Sequence, residues 1–135
     1  MIVLDSSAAV EWLLGLPLAD AVAQRLSQAE SIHAPALVDV EVAHVVRRYA
    51  AEGEISDRRG TEALEALADL DAVRYSHEML LPLIWRLRHN LTAYDAAFVA
   101  LAAVLGATLV TLDAGMARAR WPLQGDALFG VDHIA

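Results

Sequence analysis

The sequence predicts an α/β domain with a mostly parallel central sheet flanked by helices. Short apolar runs alternate with longer stretches of helical period along the whole chain. Two of those runs, MIVL and ATLVTL, end directly on an aspartate, Asp5 and Asp113. The chain has 135 residues, 57% of them hydrophobic, and a mean hydropathy of +0.41. That is enough apolar material for one core and argues for a single domain spanning residues 1–135.

Taken in order, Ile2 to Leu4 is short and wholly apolar, as suits a central parallel strand. Ser6 or Ser7 can cap a helix to about Leu14, with Gly15 as its stop. Pro17 opens a second helix to about Ala29, in which Leu18, Ala21, Val22 and Leu26 recur at helical spacing. Ser31 to Ala34 reads as a strand before Pro35. A long helix from Ala36 to Ala51 ends at Gly53, and Ser56 caps another that runs to Leu70. Ala72 to Tyr75 is a third strand, and Ser76 opens a helix to about His89. Thr92 opens an apolar helix to Leu105. Thr108 to Leu112 is a fourth strand. A short helix around Met116 to Arg120 and a strand near Leu128 to Ile134 complete the chain.

Composition removes several classes of function. Cysteine is absent, which excludes disulfide frameworks and thiolate metal sites. Net charge is -8, which counts against RNA or DNA binding through a broad basic surface but not against a nuclease whose acids are gathered at a site. The N-terminal MIVLDSSAA has an early acid and no basic stretch, unlike a secretory signal. The uncharged residues between Asp95 and Asp113 are interrupted by Gly106 and fall short of the roughly 20 apolar residues a spanning helix needs. A cytoplasmic protein is expected.

Four acids occupy places where an apolar pattern should not tolerate them: Asp5, Glu41, Asp95 and Asp113. Asp5 and Asp113 can each cap the helix that follows. In parallel sheets, however, ligands bind beyond the carboxyl ends of the strands, where both would lie. Glu41 sits in or beside a buried stripe of Leu37, Val38, Val42, Val45 and Tyr49; it can pair with His44 or with a cation across the fold. Asp95 is the third helical residue after Thr92, a capping-box acid whose charge also suits the helix start. The chain has ten arginines and no lysine, and none of the arginines adjoins these positions. A buried carboxylate without a partner is costly. The missing partner is then a hard divalent cation, for which carboxylate oxygens are the preferred ligands.

In order and spacing, MIVLDSSA, HAPALVDVEVAHVVRR, LTAYDAAFVALA and TLVTLD resemble the motifs of the PIN-domain family. More narrowly they are similar to the VapC-type ribonuclease toxins of bacterial toxin–antitoxin pairs, and the resemblance extends over essentially the whole chain. It implies a five-stranded sheet ordered 3-2-1-4-5 and an Mg2+- or Mn2+-dependent endoribonuclease. Asp5, Glu41, Asp95 and Asp113 would be the catalytic metal-binding acids, supported by Ser7 and Thr111. It also implies homodimers, RNA substrates of the tRNA or rRNA class, and a cognate VapB-type antitoxin. Some members carry a further acid just past the fourth; Ala114, Gly115 and Met116 stand there in this chain, which leaves open whether one ion or two are bound.

The chemistry expected of such a site is hydrolysis of a phosphodiester. Arg47, Arg48, Arg86, Arg88, Arg118 and Arg120 are the candidate substrate contacts. Trp12, Leu13 and Leu14 are candidates for a surface that meets a second protein. Two rival readings remain: a metal-independent ribonuclease using two of the five histidines, and a non-catalytic interaction module whose acids are only helix caps. A phosphoacceptor or dehalogenase-like site would want a lysine, which the chain lacks.

Overall fold

Five short strands, β1 (Ile2–Leu4), β2 (Ile32–Pro35), β3 (Ala72–Tyr75), β4 (Thr108–Thr111) and β5 (Val131–His133), pair side by side in the order β3-β2-β1-β4-β5. Every pairing is parallel. The sheet is seen in a computed structural model that describes residues 1–118 and 130–135. Among the described residues seven α-helices surround it: α1 (Ser6–Leu13), α2 (Ala19–Gln28), α3 (Leu37–Ala51), α4 (Asp57–Asp69), α5 (Leu81–Arg86), α6 (Ala93–Leu105) and α7 (Ala114–Arg118). None of the described helices is long and apolar enough to cross a membrane.

The sheet is central because its middle strands are apolar on both faces. Ile2, Val3 and Leu4 are all buried, as are Leu109 and Val110 beside them. Helix α6 covers one face, with every residue from Ala96 to Ala102 buried. Its alanines allow close approach to the sheet, and Phe98 and Leu101 fill the remaining volume. On α3 the buried line is Val38, Val42 and Val46, with Leu37, Val45 and Tyr49 packed at its margins. Gly15, Gly53 and Gly106 have positive φ; Gly106 is the left-handed C-cap that ends α6 before β4.

Four expectations need correction. The segment from Ser76 to His89 is not one helix: a 3-10 turn at Glu78–Leu80 is followed by α5, with Pro82 in its first turn. Proline lacks the N–H and clashes with a preceding helical turn, so the helix must restart there. Helix α2 starts at Ala19, and Glu11 Oε1 accepts from Leu18 N at 2.7 Å, a cap supplied by α1. Ser6 and Ser7 do not cap α1; they lie in its first turn, with Asp5 in the cap position. Leu13 and Leu14 are buried, so these two side chains serve the fold rather than a protein-facing surface; Trp12 packs on the core and stays part-exposed. Arg120 and Leu128, expected in the last helix and strand, lie outside the described residues.

Candidate functional site

Strand order reverses between β1 and β4: β1 continues to β2 on one side, while β4 and β5 lie on the other. This is the switch point at which parallel sheets leave a crevice. The register Leu4↔Val110 puts Asp5 beside Thr111, and Asp5 N donates to Val110 O at 3.0 Å. The two strand-ending aspartates therefore leave the sheet next to each other. Glu41 comes from the first half of α3, and Asp95 from the first turn of α6.

Asp5 is the deepest of the four, 4% exposed. It occupies the N-cap position of α1 but makes no side-chain cap bond. Its Oδ2 instead accepts from Ser7 Oγ at 2.6 Å and from Thr111 Oγ1 at 2.7 Å. Each hydroxyl spends its one proton on Asp5 and accepts a backbone N–H in return. Leu112 N donates to Ser7 Oγ at 3.0 Å, and Asp113 N to Thr111 Oγ1 at 2.9 Å. The bridges tie the end of β1 and the start of α1 to the turn after β4, and fix the orientation of the Asp5 carboxylate.

Glu41 is half-buried, and its Oε1 accepts from Ser6 Oγ at 2.8 Å. That bond, across to α1 rather than to His44, assigns Ser6 a positioning role which the sequence reading missed by treating the residue as a cap. The only local signal was a second serine directly after a strand-ending acid. Asp95 is half-buried; Thr92 caps α6 as expected, its Oγ1 accepting from Asp95 N at 3.2 Å. Asp113 is exposed, and its Oδ1 accepts from Met116 N at 2.8 Å, so the capping reading holds for this acid. A Cβ on Gly115 would stand 3.1 Å from that same Oδ1. The glycine leaves the carboxylate room.

Neighbouring acid charges act on Asp5, Glu41 and Asp95. Burial is the first cause that raises the pKa of Asp5; the Ser7 and Thr111 hydroxyls oppose it, and the Asp113 charge adds to it. Burial likewise raises Glu41, opposed by Ser6 and reinforced by Asp5 and Asp95. Asp95 is raised by burial and then by Asp5 and Asp113. Among the described residues the ion pairs lie elsewhere: Arg25 with Asp132, Arg58 with Glu62 and Arg74 with Asp39. An all-oxygen donor set with no facing arginine has the chemistry of a site for a hard divalent cation. As they stand, no three His, Asp or Glu side chains among the described residues are close enough to hold one ion. Asp5, Glu41 and Asp95 are near enough to feel other acids of the set.

This coupling has a pH signature. A carboxyl whose pKa is higher in the fold than in the unfolded chain holds its proton more tightly when folded. Its charge then costs stability at neutral pH. The cost fades as pH falls through the raised folded value and is gone below the ordinary carboxylate range of about 4. In chelator, the stability lead of an uncharged Asp5→Asn variant over wild type is expected to shrink as pH is lowered from about 8 to about 4. Thermal melts across that range check it, and a lead that does not change with pH would remove Asp5 from the set.

The histidines are placed for other work. His33 is buried, with Nδ1 2.8 Å from Tyr75 Oη and Nε2 2.8 Å from Ser31 Oγ. Burial lowers its pKa. His77 Nε2 accepts from Leu37 N at 3.0 Å and so caps α3. Of the arginines, Arg47 and Arg48 lie near the far end of α3, Arg86 ends α5, Arg88 lines a depression with Ala93 at the start of α6, and Arg118 ends α7.

The model of the PIN domain family matches residues 2–122. The chain is 43% identical to Ribonuclease VapC9 of Mycobacterium tuberculosis strain H37Rv over 113 residues, which are 84% of this chain and 86% of that one. Among solved structures it resembles PAE2754 from Pyrobaculum aerophilum, with a TM-score of 0.68 at 20% identity over 86% of this chain and 76% of that one. It also resembles VapBC2 from Rickettsia felis bound to a DNA fragment from their promoter, with a TM-score of 0.66 at 14% identity over the full length of both chains. At such identities the two structures speak for the fold alone.

Proposed function

The chain belongs to the PIN-domain family, among its VapC-type members, and from that premise we propose that it is the endoribonuclease toxin of a bacterial toxin–antitoxin pair. It hydrolyses RNA phosphodiester bonds with Mg2+ or Mn2+ held by Asp5, Glu41, Asp95 and Asp113. The observation that carries the proposal is that Asp5, Glu41 and Asp95, half-buried or deeper near the switch point of the sheet, each feel the charge of other acids of the set, with no arginine paired to them among the described residues.

Bound there, the ion would polarise a phosphoryl oxygen and lower the pKa of a water for attack on phosphorus. The chain's own part is to hold the oxygens. Ser7 and Thr111 fix Asp5 against rotation. Ser6 holds Glu41 through Oε1, which leaves Oε2 to bind the ion or to position the water. Gly115 leaves space at Asp113.

Under the same proposal residues 1–135 act as one domain in the cytoplasm, the chain forms a homodimer, the substrate is an RNA of the tRNA or rRNA class, and a VapB-type antitoxin holds the activity in check. The relatives' name, Ribonuclease VapC9, supports the reaction, and the resemblance to VapC-type toxins supports the kind of partner. A second reading, an interaction module whose acids are caps, draws on the Asp113 bond to Met116 N; the uncapped helix behind Asp5 argues against it. Incubation of the purified protein with structured RNA and divalent metal separates the two. Discrete fragments are expected; RNA left intact under every metal condition would reject the enzyme.

A further inference from the structure

Resting on the ribonuclease reading, we propose that Trp85, Arg88 and Tyr94 form a stacking ledge that holds an unpaired base of the substrate RNA beside the acid site. From Met79 to Tyr94 the chain carries Arg86 and Arg88 and no acid, in a protein whose net charge is -8. This segment packs against the start of α6. Leu81, Ile84, Trp85, Arg88 and Ala93 line one open depression there, of about 380 Å³. Ala93 and Asp95 share the first turn of α6, so the depression lies within one helical turn of that acid.

Two aromatic rings of this segment are unburied, Trp85 of the lining at 66% exposure and Tyr94, next in sequence to the lining residue Ala93, at 65%. The Arg88 guanidinium lies 4.2 Å from the centroid of the Trp85 ring system, and its Nη1 donates to Trp85 O at 2.8 Å. That bond holds a planar cation against an aromatic face instead of leaving it to move in solvent. Aromatic rings and guanidinium planes are the surfaces on which unpaired bases stack, whatever the sequence, while arginines offset phosphate charge. Met79 and Leu81 are also exposed and could suit a protein. A second copy meeting this face through the same Met79–Tyr94 segment would bring no acid to offset Arg86 and Arg88. RNA would neutralise them.

The test uses the full chain and a fluorescently labelled RNA hairpin with an unpaired loop. Binding is read by anisotropy in EDTA, cleavage by steady-state kinetics in Mg2+, and assembly by sedimentation. Trp85→Ala and Tyr94→Ala are each expected to raise the dissociation constant and KM about 5- to 50-fold, the loss of one stacked base, with kcat little changed. Tyr94→Phe, which keeps the ring, should recover most of the affinity. If the wild type cleaves RNA and the alanine variants bind it equally well, the ledge is overturned and the ribonuclease reading stands. Unchanged RNA binding with a halved mass would assign the face to a second copy and also overturn the ledge. A wild type that neither binds nor cleaves RNA would sink both.

Discussion

Replacing Asp5 by Asn is expected to produce a metal-free protein that is more stable than wild type and nearly inactive on RNA. Asp5 is 4% exposed, and burial with the nearby Asp113 charge disfavours its ionised form. Asn keeps the volume and one acceptor oxygen. That oxygen can still take the Ser7 and Thr111 protons now given to Oδ2, so the hydroxyl bridges survive while the charge goes. Each unit by which the fold raises a carboxyl pKa corresponds to about 1.4 kcal/mol, and a gain of about 0.5–2 kcal/mol is the scale expected for relief of a functional site. Activity should fall by roughly a thousand-fold or more, as when a member of an interdependent catalytic set is lost. Asp5→Ala makes the contrast: it strands both hydroxyls and opens a void, so it should lose stability as well as activity. Melting curves in EDTA and RNA cleavage rates in Mg2+ decide the matter. An Asn variant that is less stable and still active would make Asp5 a structural residue.

Chelation should abolish RNA cleavage, and Mn2+ or Mg2+ should restore it. The same ions should stabilise the folded protein, a readout independent of activity. A ligand that binds only the native state at about 100 times its dissociation constant contributes about 2.7 kcal/mol, which moves the melting temperature of a domain of this size by roughly 10 °C. Asp5→Asn and Asp113→Asn should each lose most of that shift. Asp113 is the sharper control. It is exposed and caps α7 through Oδ1, and Asn caps as well as Asp. Its replacement should therefore leave metal-free stability almost unchanged while weakening the response to Mn2+. If both variants keep the whole shift, the ion binds elsewhere; cleavage that persists in excess chelator would remove the metal from the reaction altogether.

Local chemistry made much of this protein legible in its sequence. The runs IVL and TLVT are strands because they are apolar and short, and both lie in the middle of the sheet. Thr92 and Ser56 cap the helices they precede, and Gly15, Gly53 and Gly106 stand at helix ends with the positive φ that glycine tolerates. Asp5, Glu41, Asp95 and Asp113 stood out because each is a polar residue where periodicity calls for an apolar one. Periodicity did not disclose how far the Ser76–His89 segment would run, since Pro82 restarts its helix. Nor did it separate Trp12, Leu13 and Leu14, which pack inward, from Trp85 and Tyr94, which face solvent, because all lie on apolar helical stretches.

What the tertiary structure alone decided is which side chains meet. The parallel register Leu4↔Val110 places Thr111 against Asp5 across 106 positions of sequence, and the packing of α1 on α3 brings Ser6 to Glu41 across 35. A strand's period of two and a helix's of 3.6 specify which face of an element is buried, but not which element covers it. Hydroxyls such as Ser6, Ser7 and Thr111 carry no periodic signal. Their role is set by the acid that the packed sheet and helices bring to them. The sequence by itself therefore determined the elements and the four acids, and the packing decided which hydroxyls hold those acids in place.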